Sequence, residues 1–278
     1  YKCYRNSLEI LTTAHALGFG IYRKKLVQMF DNSALWNDIG YKVEEGKLEE
    51  GEQVTLRSTN DTSPEFLSDH SDTDDLLKFE VFKNNEQQIK YIVDEIFKNI
   101  HEDELRLDDI MVINPDPITT KNLVGAFRQK LYDKGINSSV AGVTDSPDIF
   151  YSQDTITFTG IYRAKGNEAA MVYVINSQYC YSGVELAKKR NILFTAMTRS
   201  KAWVRVCGYG EDMIGLKNEY KKVKKNKFGL TFDYPTAEER EHMNIVNRDM
   251  SMQEKNRVQK NQQNLGDLLK DLNEGKIH

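Results

Sequence analysis

Two rhythms of apolar and polar positions alternate along the middle of the chain. Leu76–Phe82, "LLKFEVF", reads as a strand, and after it Ile89, Ile92, Val93, Ile96, Phe97 and Ile100 recur at helical spacing. That is one apolar stripe on an otherwise polar helix, with Val93, Ile96 and Phe97 expected to face the core. "IMVI" (Ile110–Ile113) is a short apolar strand ending at "NPDP", which breaks the chain and leads into a helix carrying Leu123, Val124, Phe127 and Leu131. "TITFT" (Thr155–Thr159) and "MVYVI" (Met171–Ile175) predict two more strands. "GVELAKKRNILFTAMTRS" is helical in period, with Ile192, Leu193, Ala196 and Met197 on one side, and "AWVRV" (Ala202–Val206) closes the series. Apolar strands separated by amphipathic helices predict an α/β fold, a mostly parallel sheet with helices on both faces. Ligands of such sheets bind beyond the carboxyl ends of the strands, where the loops after "TITFT" and "IMVI" would lie.

The flanks are less regular. Leu8–Phe30 has a helical look, "YKVEEGKLEEGEQVTLRS" (Tyr41–Ser58) resembles a hairpin or a pair of edge strands, and Ser58–Asp75 is acidic and Ser/Thr-rich, as an exposed loop is. "KNEYKKVKKNK" (Lys217–Lys227) is basic, suited either to phosphate backbone or to a solvated helix face. Thr236 and Glu239 have capping-box spacing for a long final helix. Val258, Leu265 and Leu272 recur every seven residues over too short a stretch for a coiled coil, in a Gln/Asn/Lys-rich tail from Met252 expected to bind a partner or to be partly disordered. These patterns predict one domain over residues 1–210, with an irregular insertion at about 31–78, and a basic, helical extension over 211–278.

Composition narrows the classes. The 278 residues carry a formal charge of −4, which gives no global bias toward nucleic acid, so each basic patch stands on its own. No apolar run approaches the roughly 20 residues that span a bilayer, and no membrane partner is expected. Cys3, Cys180 and Cys207 are odd in number and lack CxxC spacing, which argues against a disulfide framework or zinc site and for a reducing cytoplasm. The start, "YKCYRNSLEI", has neither a methionine nor an apolar signal region, so a piece of a longer protein is expected.

Three stretches carry candidate chemistry. In "YRAKGNE" (Tyr162–Glu168) a Lys-Gly pair lets backbone approach an anion, Arg163 and Lys165 can meet phosphates, and Glu168 can accept from a sugar hydroxyl; the alternative is a solvated loop capping a sheet. In "TAMTRSK", Arg199 stands at the end of an apolar helix, placed either to stabilise charge on a transferring phosphoryl group or to pair with an acidic neighbour. In "YRNS", Tyr4 can stack on a base and Arg5 can reach a phosphate, or both can serve packing and solvation.

In this order the three stretches resemble the motifs that the UvrD, Rep and PcrA group of superfamily 1 helicases carries in its second RecA-like domain. The resemblance covers roughly residues 1–208 and is dense from Thr155 to Gly208. It implies a RecA-like fold and an ATP-dependent DNA helicase or translocase active in processes such as DNA repair. Tyr4 would stack on adenine, Arg5 and Arg199 would reach the phosphates, and Gly166 and Glu168 would line the nucleotide side with Glu168 at the ribose. Tyr162, Arg163 and Lys165 would meet single-stranded DNA, RNA being the other strand to consider. The chain departs from the family where Thr-x-His is replaced by Gly160-Ile161-Tyr162, and only residues 135–154 stand where UvrD-type enzymes insert a large subdomain. G-x-x-x-x-G-K-[ST] does not occur, and the family's D-E-x-x magnesium motif is read as missing, the D-E of "VDEIF" falling inside the amphipathic helix. ATP and Mg²⁺ are therefore expected to be shared with an N-terminal RecA-like domain of the same protein, leaving this portion inactive alone. The other class to consider is a non-catalytic RecA-like module that holds nucleic acid or a partner in a repair or phage-defence complex.

Overall fold

The structure, a computed structural model, describes residues 6–30, 32–59, 67, 71–144, 146, 148–241 and 243–246. In chain order, helix α1 (Leu8–Phe19), strand β1 (Gln28–Phe30), helix α2 (Ala34–Asp38) and strands β2 (Tyr41–Gly46) and β3 (Gln53–Ser58) come first. Then follow α3 (Thr73–Leu76), β4 (Leu77–Phe82), α4 (Asn85–His101), β5 (Ile110–Asn114), α5 (Thr120–Asp133), β6 (Ser138–Val140) and β7 (Ile156–Gly160). The chain continues through α6 (Ile161–Ala164), β8 (Ala169–Val174), α7 (Leu186–Met197), β9 (Ser200–Tyr209), α8 (Gly210–Lys225), β10 (Leu230–Asp233) and α9 (Ala237–Glu241).

Six strands form the main sheet in the order β4-β9-β8-β5-β7-β6, and every pairing is parallel. Side chains alternate across it, as the pleat demands. Met111, Ile113, Val172, Val174, Val204 and Val206 meet α1, α6, α7 and α8 on one face. Ile110, Val112, Phe158, Met171 and Tyr173 meet α4 and α5 on the other. This is an α/β architecture with helices on both faces of a parallel sheet, as the strand and helix rhythm predicts. A three-stranded antiparallel sheet, β10-β3-β2, contains the hairpin read from Tyr41–Ser58. Trp36 packs there among Phe19, Phe30, Tyr41 and Phe232.

Several boundaries differ from the sequence reading. Leu8–Phe30 is not one helix: α1 stops at Gly20, whose left-handed φ of 72° closes the C-cap, and β1 follows. Phe97 is 37% exposed rather than core-facing; it sits on the flank of the α4 stripe, stacked on His101 with the Lys134 ammonium over its ring. Asp94 of "VDEIF" lies on that helix surface, and its carboxyl is held below the usual range by a hydrogen bond from Lys90 and the nearby Lys134. Thr236 and Glu239 exchange both capping-box hydrogen bonds, but the helix they start ends at Glu241, and the backbone is extended from Asn244. The basic run lies mostly on α8, which packs Met213, Leu216 and Tyr220 against the main sheet and also buries Val223, while Lys217 pairs with Glu80 and Lys224 with Asp74. The tail from Met252 lies outside the described residues. Among the described residues no helix is long and apolar enough to cross a membrane.

The helix layer on the α1 face is tied by a buried ion pair. Arg190 of α7 is fully buried; its Nη1 and Nη2 donate to Glu219 Oε2 and Oε1 of α8 at 3.0 and 2.8 Å. Nη1 also donates to the Leu17 carbonyl of α1 at 3.2 Å, and Arg23 reaches Glu219 Oε1 at 3.2 Å. Removing one partner of such a pair strands the other's charge. Glu219→Gln is therefore expected to cost about 3–5 kcal/mol, read as a lower urea midpoint at unchanged slope.

His15 of α1 lies among Phe19, Tyr41 and Phe194, its Nδ1 2.9 Å from the Tyr41 hydroxyl, and burial lowers its pKa from 6.5 to about 4. Between these values the unfolded chain takes up a proton that the folded chain refuses. Stability complete above pH 6.5 is thus lost as pH falls toward 4, by up to about 3 kcal/mol. Denaturant titrations across that window should show the decline, and His15→Asn should flatten it.

Candidate functional site

The β7-to-β8 connection carries most of the candidate residues, and the parallel sheet gives it two ends. It leaves the carboxyl edge at Gly160, and β8 starts at the amino edge at Ala169, two positions away with β5 between. Helix α6 makes the return with Ile161 and Ala164 buried against the core. Gly166 completes the turn at φ 85°, a left-handed backbone that disfavours any side chain.

At the amino edge, strand pairing sets Ala169 opposite Ser200, and the Ala169 amide donates to the Arg199 carbonyl at 3.2 Å. Glu168 and Arg199, far apart in sequence, thereby precede neighbouring strands. Arg199 is half-buried, its Nε donating to the Thr195 carbonyl at 3.2 Å one turn back on α7. Asn6 joins them: it is buried, and its Nδ2 donates to the Ser200 carbonyl at 2.7 Å. Ser7 next to it caps α1, its Oγ accepting from the Ile10 amide at 3.4 Å. The start of α1 and the end of α7 are therefore stitched together beside Arg199. The Ser200 hydroxyl is buried with no hydrogen-bond partner among the described residues. Tyr4 and Arg5 lie outside the described residues.

At the carboxyl edge, Tyr162 is 55% exposed at the start of α6 and Arg163 beside it is exposed. A cavity of about 330 Å³ runs alongside, between Pro117–Lys121, Val140–Val143 and Gly160–Arg163. Gly142 shapes it: a Cβ there would stand 2.2 Å from Arg163 Cζ, so only glycine lets the guanidinium lie over that backbone. Lys165 is exposed at the far end of α6.

Beneath this edge runs a chain of buried amides. Gln88 exchanges two hydrogen bonds with Asn176, at 2.9 and 3.0 Å. Asn176 Nδ2 donates to Asn114 Oδ1 at 3.3 Å, and Asn114 Nδ2 reaches the Thr119 and Thr120 hydroxyls at 3.2 Å. These bonds fix the ends of β5 and β8 and the first turns of α4 and α5 to one another. Asn6, Gly142 and the amide chain were not anticipated from sequence. Asn6 and Ser200 directly follow Arg5 and Arg199, which was a usable signal; nothing local marks Gly142 or Asn176. Burial pushes the Cys180 thiol up to about 12, which leaves it without thiolate reactivity, and among the described residues no group of His, Cys, Asp and Glu could hold a metal ion.

The fold and its two-ended connection define the class, a parallel α/β domain covered by helices on both faces. Residues 155–207 match the UvrD-like helicase C-terminal domain family, a stretch containing α6, Glu168 and Arg199. Among solved structures, the chain is similar to the C-terminal domain of a possible DNA helicase from Lactobacillus (strain WCFS1). That match has a TM-score of 0.42 and 15% identity, and covers 75% of this chain and 88% of that one. A second is an Arterivirus nonstructural protein 10 helicase in complex with DNA, with a TM-score of 0.29 and 13% identity, over 49% of this chain and 28% of that one. No curated protein matches in sequence.

Asn6→Ala would unpair the Ser200 carbonyl in a buried setting, which costs about 1–3 kcal/mol. The expected result is a lower denaturation midpoint together with faster amide exchange at the start of α1.

Proposed function

We propose that this chain is the second RecA-like motor domain of an ATP-dependent DNA helicase or translocase, forming one wall of an ATP site at the amino edge and gripping single-stranded DNA at the carboxyl edge. The observation that carries this reading is the placement within the family-matched stretch. One short connection sets Tyr162 and Arg163 at one edge of the sheet and delivers Glu168 beside Arg199 at the other.

The amino edge fits a nucleotide on this observation: a half-buried guanidinium stands next to a buried serine hydroxyl that has no partner among the described residues, with a carboxylate heading the adjacent strand. Arg199 would hold phosphate charge, and Thr195 keeps its Nε aimed from a rigid helix end. Glu168 would accept from a ribose hydroxyl across the turn that Gly166 permits. Tyr4 and Arg5 would add adenine stacking and a second cation. ATP with Mg²⁺ supplies the hydrolysable anhydride. The residues to hold that metal and cradle the phosphates would belong to a partner RecA-like domain, so this portion should not turn over ATP by itself. At the carboxyl edge, Tyr162 would stack on a base while Arg163 and Lys165 meet phosphates, a pairing that tolerates any sequence.

Arg199→Ala in the longer protein should lower DNA-stimulated ATPase by at least about 10³-fold while leaving DNA affinity within about twofold. Unchanged turnover would remove Arg199 from the site, and equal loss of both activities would make its role structural.

A further inference from the structure

Beyond Tyr162, the carboxyl edge continues onto a surface with the same chemistry. Helix α6 packs against α7, whose first turn presents Lys188 and Lys189. The loop before it turns outward through Gly183 at φ 91° and Glu185 at φ 56°, leaving Val184 85% exposed. Tyr179 lies beneath, half-buried, with Lys189 Nζ 4.6 Å from its ring centre. Lys189 also donates to the Ser182 carbonyl at 3.0 Å, so its ammonium is held in place.

These groups adjoin Tyr162. The Tyr179 phenol is pushed up first by burial and then by Asp116 and Cys180, with Lys188 drawing it back and Tyr162 adding to the push. Lys188 feels Tyr162 in turn. Cations still outnumber carboxylates along the strip: Lys121, Arg163, Lys165, Lys188 and Lys189 stand against Asp116, Glu185 and Asp212, the last accepting from the Ser182 hydroxyl at 2.7 Å. Glu185 lies 3.2 Å from Lys188, but both are exposed, and such a pair yields readily to a phosphate. Asp116 is half-buried, its carboxylate accepting from the Thr119 hydroxyl and the Ile118 amide. The amide chain under this edge ties the end of β5 below the cavity to Asn176, where the turn carrying Tyr179 begins.

We infer that single-stranded DNA held at Tyr162 and Arg163 continues across α6 onto the start of α7, its phosphates meeting Lys188 and Lys189 and a base resting on Val184. The inference rests on the DNA side of the function proposed above. A strand laid this way crosses from the end of β7 to the loop beyond β8, alternating aromatic or apolar support with cations. That is the arrangement non-specific single-strand binders use. It extends the contact surface by residues that neither the resemblance nor the matched family assigns.

The test is fluorescence anisotropy on the full-length protein with oligo(dT) of increasing length and at several salt concentrations. The variants are Lys188→Gln/Lys189→Gln, Val184→Ser and, for the underlying reading, Tyr162→Ala/Arg163→Gln; thermal melts confirm folding. The double lysine variant is expected to lower the log–log salt slope by roughly 1.4, since each phosphate contact contributes about 0.7 on a single strand. It should also shorten the oligonucleotide at which affinity saturates, and Val184→Ser should weaken binding several-fold without changing the slope. An unchanged slope and site size in the lysine variant, with binding lost in the Tyr162/Arg163 variant, overturns the extension alone. Full binding in both overturns the carboxyl-edge reading as well. Loss confined to the lysine variant moves the strand off Tyr162 and overturns a continuous track. A preference for oligo(U) over oligo(dT) reassigns the strand to RNA.

Discussion

The buried pairing of Arg190 with Glu219 is the constraint on which the candidate site depends. An arginine withdrawn completely from water must find partners for charge and donors alike. Here Glu219 supplies the charge and the Leu17 and Tyr181 carbonyls take further donors, so α1, α7, α8 and the loop before α7 meet at one point. Among the described residues the Nε has no partner, while the rest of the fork is satisfied. At the other end of the same two helices, Asn6 bonds to the Ser200 carbonyl. Helices α1 and α7 are thus clamped at both ends, and Arg199 leaves from one of those clamps. The position of Arg199 is thus set by a frame whose anchor lies about two helical turns away.

The two edges of the sheet differ in physical character. At the amino edge Arg199 and its polar neighbours are partly or wholly buried, where a charge interaction is strong. At the carboxyl edge Tyr162 and Arg163 are exposed, where any single contact is weak. The amide chain from Gln88 to Thr120 stiffens the second edge without placing charge beneath it.

Periodicity carried most of the fold in readable form, because a strand buried on both faces and a one-sided helix leave different traces. Strands β4, β5, β7, β8 and β9 and helices α4, α5 and α7 follow from it. Strand β6, three residues of Ser138–Val140, left no trace, since so short an edge strand is fixed by its neighbour β7 and not by its own pattern. Gly20 went unread as the end of α1 because the segment beyond it stays apolar enough to continue the rhythm. Phe97 was assigned inward because a stripe marks a face only to within a residue's width. In the site, the motif residues were visible as chemistry out of place, while Gly142 and Asn176 owe their importance to groups far away in the chain. In sequence nothing distinguishes Arg190 from Lys188 and Lys189 beside it; only packing sets it apart.

The connection from β7 to β8 has a further consequence in its length. Parallel strands are usually joined by about a dozen residues or more, and here eight suffice, Ile161 to Glu168. The chain must travel back roughly 17 Å along the strands and shift about 10 Å sideways past β5. The chain covers it with a one-turn helix and a closed turn, the Asn167 amide donating to the Ala164 carbonyl at 3.1 Å. Tyr162 and Glu168, on opposite edges of the sheet, are thus joined by a link of only a few residues whose two parts are each held by backbone hydrogen bonds or burial, so a displacement at one edge has little chain in which to dissipate before it reaches the other.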